Sequence, residues 1–127
     1  MDNIILTTGT FNIVHAGHIE LFEFCKSFGK VHVGVNSDKY LLNKYGDKTI
    51  RLEHRLKVLS SIKQIDAIHV FHEETPCCLI AKLKPNTYVK GPDYLNLDIP
   101  ELKILNKLNI NYLIPKKDKI LSTSNLI

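Results

Sequence analysis

Two histidines three residues apart, His15 and His18, form the pattern in this chain that most clearly suggests chemistry. An apolar run at residues 4–6 predicts a buried strand before them, and the sequence after them predicts a helix. A glycine-containing turn from a strand into a helix favours phosphate binding, because free N–H groups and the helix dipole both attract negative charge there. The two imidazoles share one face of the first turn, and Gly17 between them leaves room for a phosphate. The pattern predicts a reaction centre that acts on a nucleotide phosphate, whereas His32, His69 and His72 are interpreted as ordinary polar residues.

The composition fits one globular domain over residues 1–127. The net charge of +4 comes mainly from lysine and suits an anionic small molecule or simply a solvated surface. No basic cluster interleaved with aromatic residues is present, so we expect no nucleic-acid partner. Without a membrane-length apolar run or a signal-like N-terminus, we expect a cytoplasmic protein with no membrane partner. The three cysteines, two of them adjacent, suggest neither a disulfide framework nor a zinc site, and we expect no metal-ligating residues.

Strand-like and helix-like segments alternate along the chain. The predicted strands are 3–8, 31–35, 67–71, 87–89 and 112–114, and the predicted helices are 18–28, 52–61, 76–83 and 100–108, with Ser122 as the N-cap of a terminal helix. This alternation predicts an α/β fold, a single doubly wound (Rossmann-like) domain with a five-stranded parallel sheet and helices on both faces. Ligands of such sheets bind beyond the carboxyl ends of the strands, where the strand order reverses. The histidine-containing turn is expected at that edge.

Several further motifs accompany residues 8–18, and together they carry a resemblance to a known family. They lie at residues 35–38, 53–55, 73–76, 89–94 and 122–125. The chain resembles the small nucleotidyltransferases with a His-x-Gly-His signature, which include the glycerol-3-phosphate cytidylyltransferases and the adenylyltransferase half of ADP-heptose synthases. The resemblance covers nearly the whole chain, and segment 89–94 looks more like the heptose-phosphate adenylyltransferases.

The resemblance implies a reaction and its substrates. A nucleoside monophosphate would pass from a nucleoside triphosphate to a sugar or polyol phosphate, and pyrophosphate would leave. We expect ATP and a heptose-type 1-phosphate as substrates; CTP with glycerol 3-phosphate is one alternative, and a nucleotide-binding module without turnover is another. Mg²⁺ is expected as the cofactor, held mainly by the triphosphate and water. A homodimer is also expected, because the family commonly pairs and small chains often bury apolar surface by self-association.

The resemblance also implies roles for individual residues. His15 and His18 are expected to contact the α- and β-phosphates. Lys44, in a polar loop at residues 43–48, is expected to close over them or to be a solvated loop lysine. Arg55 and Lys48 are assigned to the acceptor phosphate, with a helix-surface arginine as the alternative for Arg55. The remaining nucleotide-binding residues are expected to be Thr8, Gly9, Thr10, Phe11, Gly17, Gly91, Asp93, Ser122 and Thr123, where Ser122 can also be a helix cap.

Among the departures from the family pattern, two bear most directly on the metal and the base. Asn12 stands where the family usually has aspartate, so the hydrogen-bonding shape is kept and the negative charge is lost. Pro92 stands where the cytidylyltransferases tend to have an acid that accepts a hydrogen bond from cytosine. Because proline has no side-chain acceptor, this position favours ATP over CTP, although Asp93 next to it offers a carboxylate.

Overall fold

Residues 3–46 and 49–115 are described by a computed structural model, apart from the side chains of Tyr40, Lys44 and Tyr45. Strands and helices alternate through these residues, as the sequence predicts. The strands are β1 (Ile4–Gly9), β2 (Lys30–Asn36), β3 (Ala67–Phe71), β4 (Thr87–Val89) and β5 (Asn111–Leu113). The helices are α1 (Ala16–Lys26), α2 (Asp38–Tyr45), α3 (Leu52–Ser60), α4 (Cys77–Leu83) and α5 (Leu102–Lys107), with a 3₁₀ turn at Pro92–Tyr94.

The strands form one parallel sheet in the order β3-β2-β1-β4-β5. The chain moves outward from β1 to β3 and then returns to place β4 on the other side of β1. The strand order therefore reverses between β1 and β4, and a crevice opens beyond their carboxyl ends. The prediction of a doubly wound α/β fold with a five-stranded parallel sheet is confirmed.

Neighbouring side chains of β1 enter two separate hydrophobic cores, one on each face of the sheet. Ile5 packs in a cluster with residues of α1 and α3, including Phe22 and Leu59. Leu6 packs in a second cluster with Ile80 of α4 and Leu105 of α5. Ile5 and Leu6 are both fully buried, which stabilises the fold by about 1.5–3 kcal/mol per side chain. The helices thus cover both faces, and β1 is fixed between them.

Helix α2 is the main element that the sequence prediction missed. Among its described side chains only Leu41 is fully buried, while Leu42 is exposed. The segment therefore lacks the regular apolar spacing from which a helix is predicted. The prediction that Lys44 lies in a loop is wrong, because its backbone belongs to the last turns of α2. The helix ends at Gly46, whose φ of 57° favours glycine.

Close packing of α4 against the sheet depends on Gly34 of β2. A Cβ atom at this position would lie 2.7 Å from Cδ2 of Leu79 and 2.9 Å from Cγ2 of Thr8. The glycine therefore allows α4 to approach β1 and β2 closely and helps to hold Thr8 in place.

None of the helices in the described residues is long and apolar enough to cross a membrane.

Candidate active site

A cavity of about 230 Å³ lies beyond the carboxyl ends of β1 and β4, where the strand order reverses. We call it the first cavity. Its walls are the turn between β1 and α1, the first turn of α1 and the segment that follows β4. The structure brings the following predicted site residues to its wall: Thr8, Gly9, Thr10, Phe11, His15, Gly17, His18, Gly91 and Asp93.

The turn from β1 into α1 depends on an unusual backbone conformation at Phe11. Its φ of 50° lies in the left-handed region, which is costly for a bulky residue. Packing of the buried ring opposes this cost, because its centroid lies 5.5 Å from that of His18 and 5.7 Å from that of Phe22. The same contacts position His18 at the cavity wall.

His15 and His18 are oriented by hydrogen bonds from backbone N–H groups in the first turn of α1. Nδ1 of His15 accepts from the N–H of Gly17 over 3.0 Å, and Nδ1 of His18 accepts from the N–H of His15 over 3.2 Å. Because Nδ1 is the acceptor in each ring, the proton of the neutral imidazole lies on Nε2. Among the described residues neither Nε2 atom has a hydrogen-bond partner. Two Nε2–H donors are thus available at one cavity wall, with ring centroids 4.2 Å apart.

Both burial and the neighbouring histidine keep His18 neutral. Burial is the larger cause and His15 the smaller, and together they lower the pKa of His18 to about 4. At neutral pH this side chain is therefore a hydrogen-bond donor without a net charge. Such a donor can bind a phosphate oxygen through Nε2–H while the helix dipole supplies part of the positive potential.

Lys90 is a site residue that the sequence interpretation missed. It follows β4 directly and is only 8% exposed. Its Nζ lies 3.4 Å from both the carbonyl oxygen and Oγ1 of Thr8, and 4.4 Å from the ring centroid of Tyr94. Burial lowers the pKa of Lys90, and the nearby Glu101 opposes this effect. The sequence signal was its place in segment 89–94, but nothing there distinguishes a buried lysine from a solvated one.

A buried polar chain continues from Lys90 through three further side chains. The Tyr88 hydroxyl donates to Oε2 of Glu101 over 3.1 Å and lies 2.6 Å from Oγ1 of Thr8. Because the phenol has only one proton, the Thr8 hydroxyl must donate to Tyr88, and its lone pairs face Nζ of Lys90. Burial first and Glu101 second raise the pKa of Tyr88 well above its ordinary value, so the phenol stays protonated. The chain fixes the direction of every hydrogen bond from Lys90 to Glu101.

A second cavity of about 370 Å³ adjoins the first one. It lies toward α4 and α5, on the face of the sheet to which Thr8 and Tyr88 point. The two cavities share residues 8–10 and the side chains of Lys90 and Tyr94. The second cavity is further lined by Asn36, Phe71, Glu74, Thr75, Pro76, Ile99, Pro100 and Glu101.

Arg55 does not lie where it was predicted. Its side chain is inaccessible to solvent and lines neither cavity. Nε donates to the carbonyl of Ile50, Nη1 to the carbonyls of Thr10 and Asn36, and Nη2 lies 2.9 Å from Oδ1 of Asp38. The assignment of Arg55 to the acceptor phosphate is therefore wrong, and it is not a surface arginine either. Its buried hydrogen bonds hold the turn after β1 against α3.

Four predicted site residues cannot be placed at the cavities. The backbone of Lys44 lies in α2, but its side chain is outside the described part of the chain. Lys48, Ser122 and Thr123 lie outside the described residues altogether. Their assigned roles stay predictions.

Residues 6–127 match the family model described as cytidylyltransferase-like. The chain belongs to the cytidylyltransferase-like family. The prediction of a nucleotidyltransferase-family enzyme is thereby confirmed. The match includes the β1–α1 turn, both histidines and the segment after β4, so the family assignment and the geometry concern the same residues.

Curated relatives of this cytidylyltransferase-like chain include proteins named bifunctional protein HldE. The chain is 40% identical over 99 residues to that of Helicobacter pylori (strain Shi470), which covers 76% of this chain and 21% of the relative. It is 33% identical over 127 residues to that of Aliarcobacter butzleri (strain RM4018), which covers 98% of this chain and 26% of the relative. The chain thus spans 21–26% of the length of these relatives.

Solved structures support the same fold. The lipopolysaccharide core biosynthesis protein from Thermoplasma volcanium has a TM-score of 0.76 and 24% identity, over 92% of this chain and 98% of that one. Pantothenate synthetase from Thermus thermophilus has a TM-score of 0.62 and 15% identity, over 98% of this chain and 61% of that one. Both are similar to this cytidylyltransferase-like chain in fold.

Proposed function

We propose that the chain transfers the adenylyl group of ATP to the phosphate of a sugar such as a heptose 1-phosphate and releases pyrophosphate. One observation carries the proposal: two histidines whose Nδ1 atoms accept backbone hydrogen bonds present Nε2 at the N-terminal turn of α1, beside a cavity at the reversal of the strand order. A triphosphate is the kind of ligand that this combination of donors and helix dipole favours. The resemblance of segment 89–94 to the heptose-phosphate adenylyltransferases supports ATP and a sugar phosphate.

The proposed chemistry is a direct displacement at the α-phosphorus. An oxygen of the acceptor phosphate forms a bond to the α-phosphorus, and the bond from that phosphorus to the bridging oxygen of the β-phosphate breaks. Pyrophosphate leaves with the electron pair. A phosphate oxygen is already ionised at neutral pH, so the enzyme needs no strong base. Catalysis then depends on positioning and on donors aimed at the developing charge, which is the role of His15 and His18.

Mg²⁺ enters this proposal as part of the substrate, bound to the triphosphate. The described residues bring together no group of three or more His, Cys, Asp or Glu side chains that could hold a metal ion. We propose that the ion is held mainly by phosphate oxygens and water, which is a common arrangement for Mg²⁺. When bound, the ion would offset the charge of the triphosphate, while the histidines and the backbone N–H groups of the β1–α1 turn orient it.

CTP with glycerol 3-phosphate is a second candidate substrate pair, and one observation favours it. Asp93 lies exposed at the wall of the first cavity, where its carboxylate can accept a hydrogen bond from the amino group of cytosine. Pro92, one residue earlier, provides no such acceptor. The nucleotide preference therefore depends on whether Asp93 reaches the base.

Pyrophosphate release tests the proposal. ATP, CTP, UTP and GTP are each combined with a heptose 1-phosphate and with glycerol 3-phosphate in the presence of Mg²⁺. We expect the highest kcat/KM for ATP with the heptose 1-phosphate. Release with CTP and glycerol 3-phosphate alone would establish the second candidate. ATP binding without release from any pair would instead identify a nucleotide-binding module without turnover.

A further inference from the structure

We infer that the second cavity is the acceptor site, that it binds a polyhydroxylated phosphate ester, and that Lys90 holds the phosphate of that ester at its junction with the first cavity. This inference rests on the proposed function and specifies where the acceptor binds. Three features of the described residues support it: the unmet bonding capacity of Lys90, the chemistry of the cavity wall and the relative position of the two cavities.

Lys90 is a buried lysine whose Nζ lies 4.4 Å from the centroid of the Tyr94 ring and makes only weak bonds to protein oxygen atoms. An ammonium group has three donors. Nζ makes only two contacts to oxygen atoms among the described residues, both to Thr8 and both at 3.4 Å, which is long for a hydrogen bond of a charged group. No carboxylate of these residues lies within 4.0 Å of it. Burying a charge without strong partners is costly, and a phosphate oxygen is the partner that would offset this cost.

Lys90 is also the one lysine or arginine that the described residues place at either cavity. It lines both of them, so its ammonium marks the junction. An anionic group in the second cavity would meet its positive charge at this junction and at no other point of the described wall. The phosphate of an acceptor is thereby directed toward residues 8–10, next to the histidines.

The rest of the second cavity suits a ligand rich in hydroxyl groups. Asn36, Glu74, Thr75 and Glu101 supply amide, carboxylate and hydroxyl groups that can exchange hydrogen bonds with a polyol. The carboxylates of Glu74 and Glu101 would repel any phosphate beyond the one held by Lys90. This repulsion argues against a triphosphate in this cavity. Phe71, Pro76, Ile99 and Pro100 add apolar surface for the C–H face of a sugar. A volume of about 370 Å³ falls in the range of small-molecule sites.

The two cavities adjoin at residues 8–10, and the first is lined by residues of α1 while the second is lined by residues that precede α4 and α5. Displacement at phosphorus needs the attacking and leaving oxygens roughly in line, on opposite sides of the phosphorus atom. An acceptor phosphate on Lys90 would approach from the face of α4 and α5. The triphosphate at His15 and His18 would lie on the face of α1. The arrangement therefore separates the nucleophile from the leaving group.

The experiment measures acceptor binding and nucleotide binding separately in Lys90→Met, which keeps the length of the side chain and removes its charge. Calorimetry measures the binding of a heptose 1-phosphate and of glycerol 3-phosphate, each in the presence of a non-hydrolysable ATP analogue. It also measures the binding of the ATP analogue alone. Steady-state assays give the KM of each substrate. Lys57→Met, on the exposed surface of α3 and at neither cavity, is the matched control. Lys90→Arg tests whether restored charge recovers acceptor binding.

We expect Lys90→Met to raise the Kd and KM of the acceptor at least about tenfold, with nucleotide binding changed less than about twofold and Lys57→Met unchanged. Glu74→Ala, at an exposed residue that does not threaten folding, is expected to raise the acceptor KM alone. If Lys90→Met fails to fold, the acceptor KM of Glu74→Ala decides whether the second cavity binds the acceptor. The inference is overturned if acceptor binding is unchanged, or if nucleotide binding falls as much as acceptor binding. If the unaltered protein binds no nucleotide, the proposed function falls with it.

Discussion

The main-chain N–H of His15 donates to Nδ1 of His18 over 3.2 Å, so the backbone of one candidate catalytic residue fixes the tautomer of the other. The same turn fixes His15, whose Nδ1 accepts from Gly17. Since both bonds depend on the first turn of α1, the two Nε2–H donors move with the helix as one unit. A change at either histidine is therefore expected to affect the orientation of this turn as well as phosphate contacts.

Replacement of His18 by alanine is expected to abolish most turnover and to leave the fold intact. The substitution removes a donor aimed at the transferring phosphate, and such a donor contributes about 2.7–4 kcal/mol, or about 10²–10³ in rate. His15→Ala should behave similarly. The measurement is kcat together with the melting temperature, and His54→Ala, at an exposed histidine of α3, is the control. A His18→Ala enzyme with a third of the normal rate, about 0.65 kcal/mol lost, would contradict the role of this residue.

Replacement of Arg55 by methionine is expected to destabilise the fold. The guanidinium donates to three backbone carbonyls and to the carboxylate of Asp38, and removing it leaves buried acceptors without their donor, at an expected cost of about 1–3 kcal/mol. Urea unfolding measures the loss. Arg51→Met is the matched control, because Arg51 is exposed just before α3. Equal stability of the two variants would show that the buried hydrogen bonds contribute little.

The strands and the histidine-containing turn could be predicted from sequence because their signals are local. Alternation of apolar strands with amphipathic helices gives the parallel sheet, and His15, Gly17 and His18 stand close together in the chain. The first residues of α1 were missed because a histidine at the N-cap is unusual. His15 takes that position through Nδ1, so the helix begins at Ala16 rather than at His18.

Side-chain relationships across the sheet could not be predicted, because they depend on which strands become neighbours. Burial of Lys90 beside Thr8 follows from the pairing of β1 with β4, and these residues are far apart in sequence. The same holds for His32 and His69, interpreted as ordinary polar residues, whose Nδ1 and Nε2 atoms lie 2.9 Å apart across β2 and β3. The sequence of α3 likewise does not indicate that backbone carbonyls from other segments will surround Arg55.

Acidification is expected to lower the free energy of unfolding. Burial and His15 lower the pKa of His18 to about 4, and burial is the first cause of the lowered pKa of His32 and His69. The unfolded chain, with histidine pKa values of about 6.5, binds more protons below that pH. Stability is therefore highest above about pH 6.5 and falls as the pH drops toward 4.

Urea unfolding at pH 7.5 and 5.5 tests this dependence. His18 alone is expected to contribute about 1 kcal/mol to the loss between these pH values. The variant His18→Gln lacks the titrating group, so its stability should fall by about that much less. An identical loss in both proteins would show that His18 is not held neutral by the fold.

Replacement of Asn12 by aspartate is expected to preserve the fold and the activity, and to raise the rate at limiting Mg²⁺. Oδ1 of Asn12 accepts from the N–H of Ile50 over 2.8 Å, and an aspartate oxygen can make the same bond. The added negative charge restores the usual family residue beside the histidine turn. Rates are compared across Mg²⁺ concentrations. Asn12→Ala is the control that removes the acceptor, at an expected cost of about 1 kcal/mol in stability. An inactive aspartate form would show that the neutral amide has a role of its own.

ATP is expected to be preferred over CTP when kcat/KM is measured with the same acceptor. The segment after β4 forms a 3₁₀ turn at the wall of the first cavity, and its first residue, Pro92, offers neither a backbone N–H nor a side-chain acceptor to a base. A cytosine amino group left without an acceptor costs about 1–3 kcal/mol, whereas adenine can be bound by a backbone carbonyl and apolar contact. Asp93→Ala, which removes the side-chain acceptor, decides whether the neighbouring carboxylate supplies the missing acceptor. The ATP preference is wrong if CTP is the better substrate of the unaltered enzyme. The cytidylyltransferase assignment is then correct if the substitution also lowers kcat/KM for CTP at least about tenfold and leaves kcat/KM for ATP unchanged.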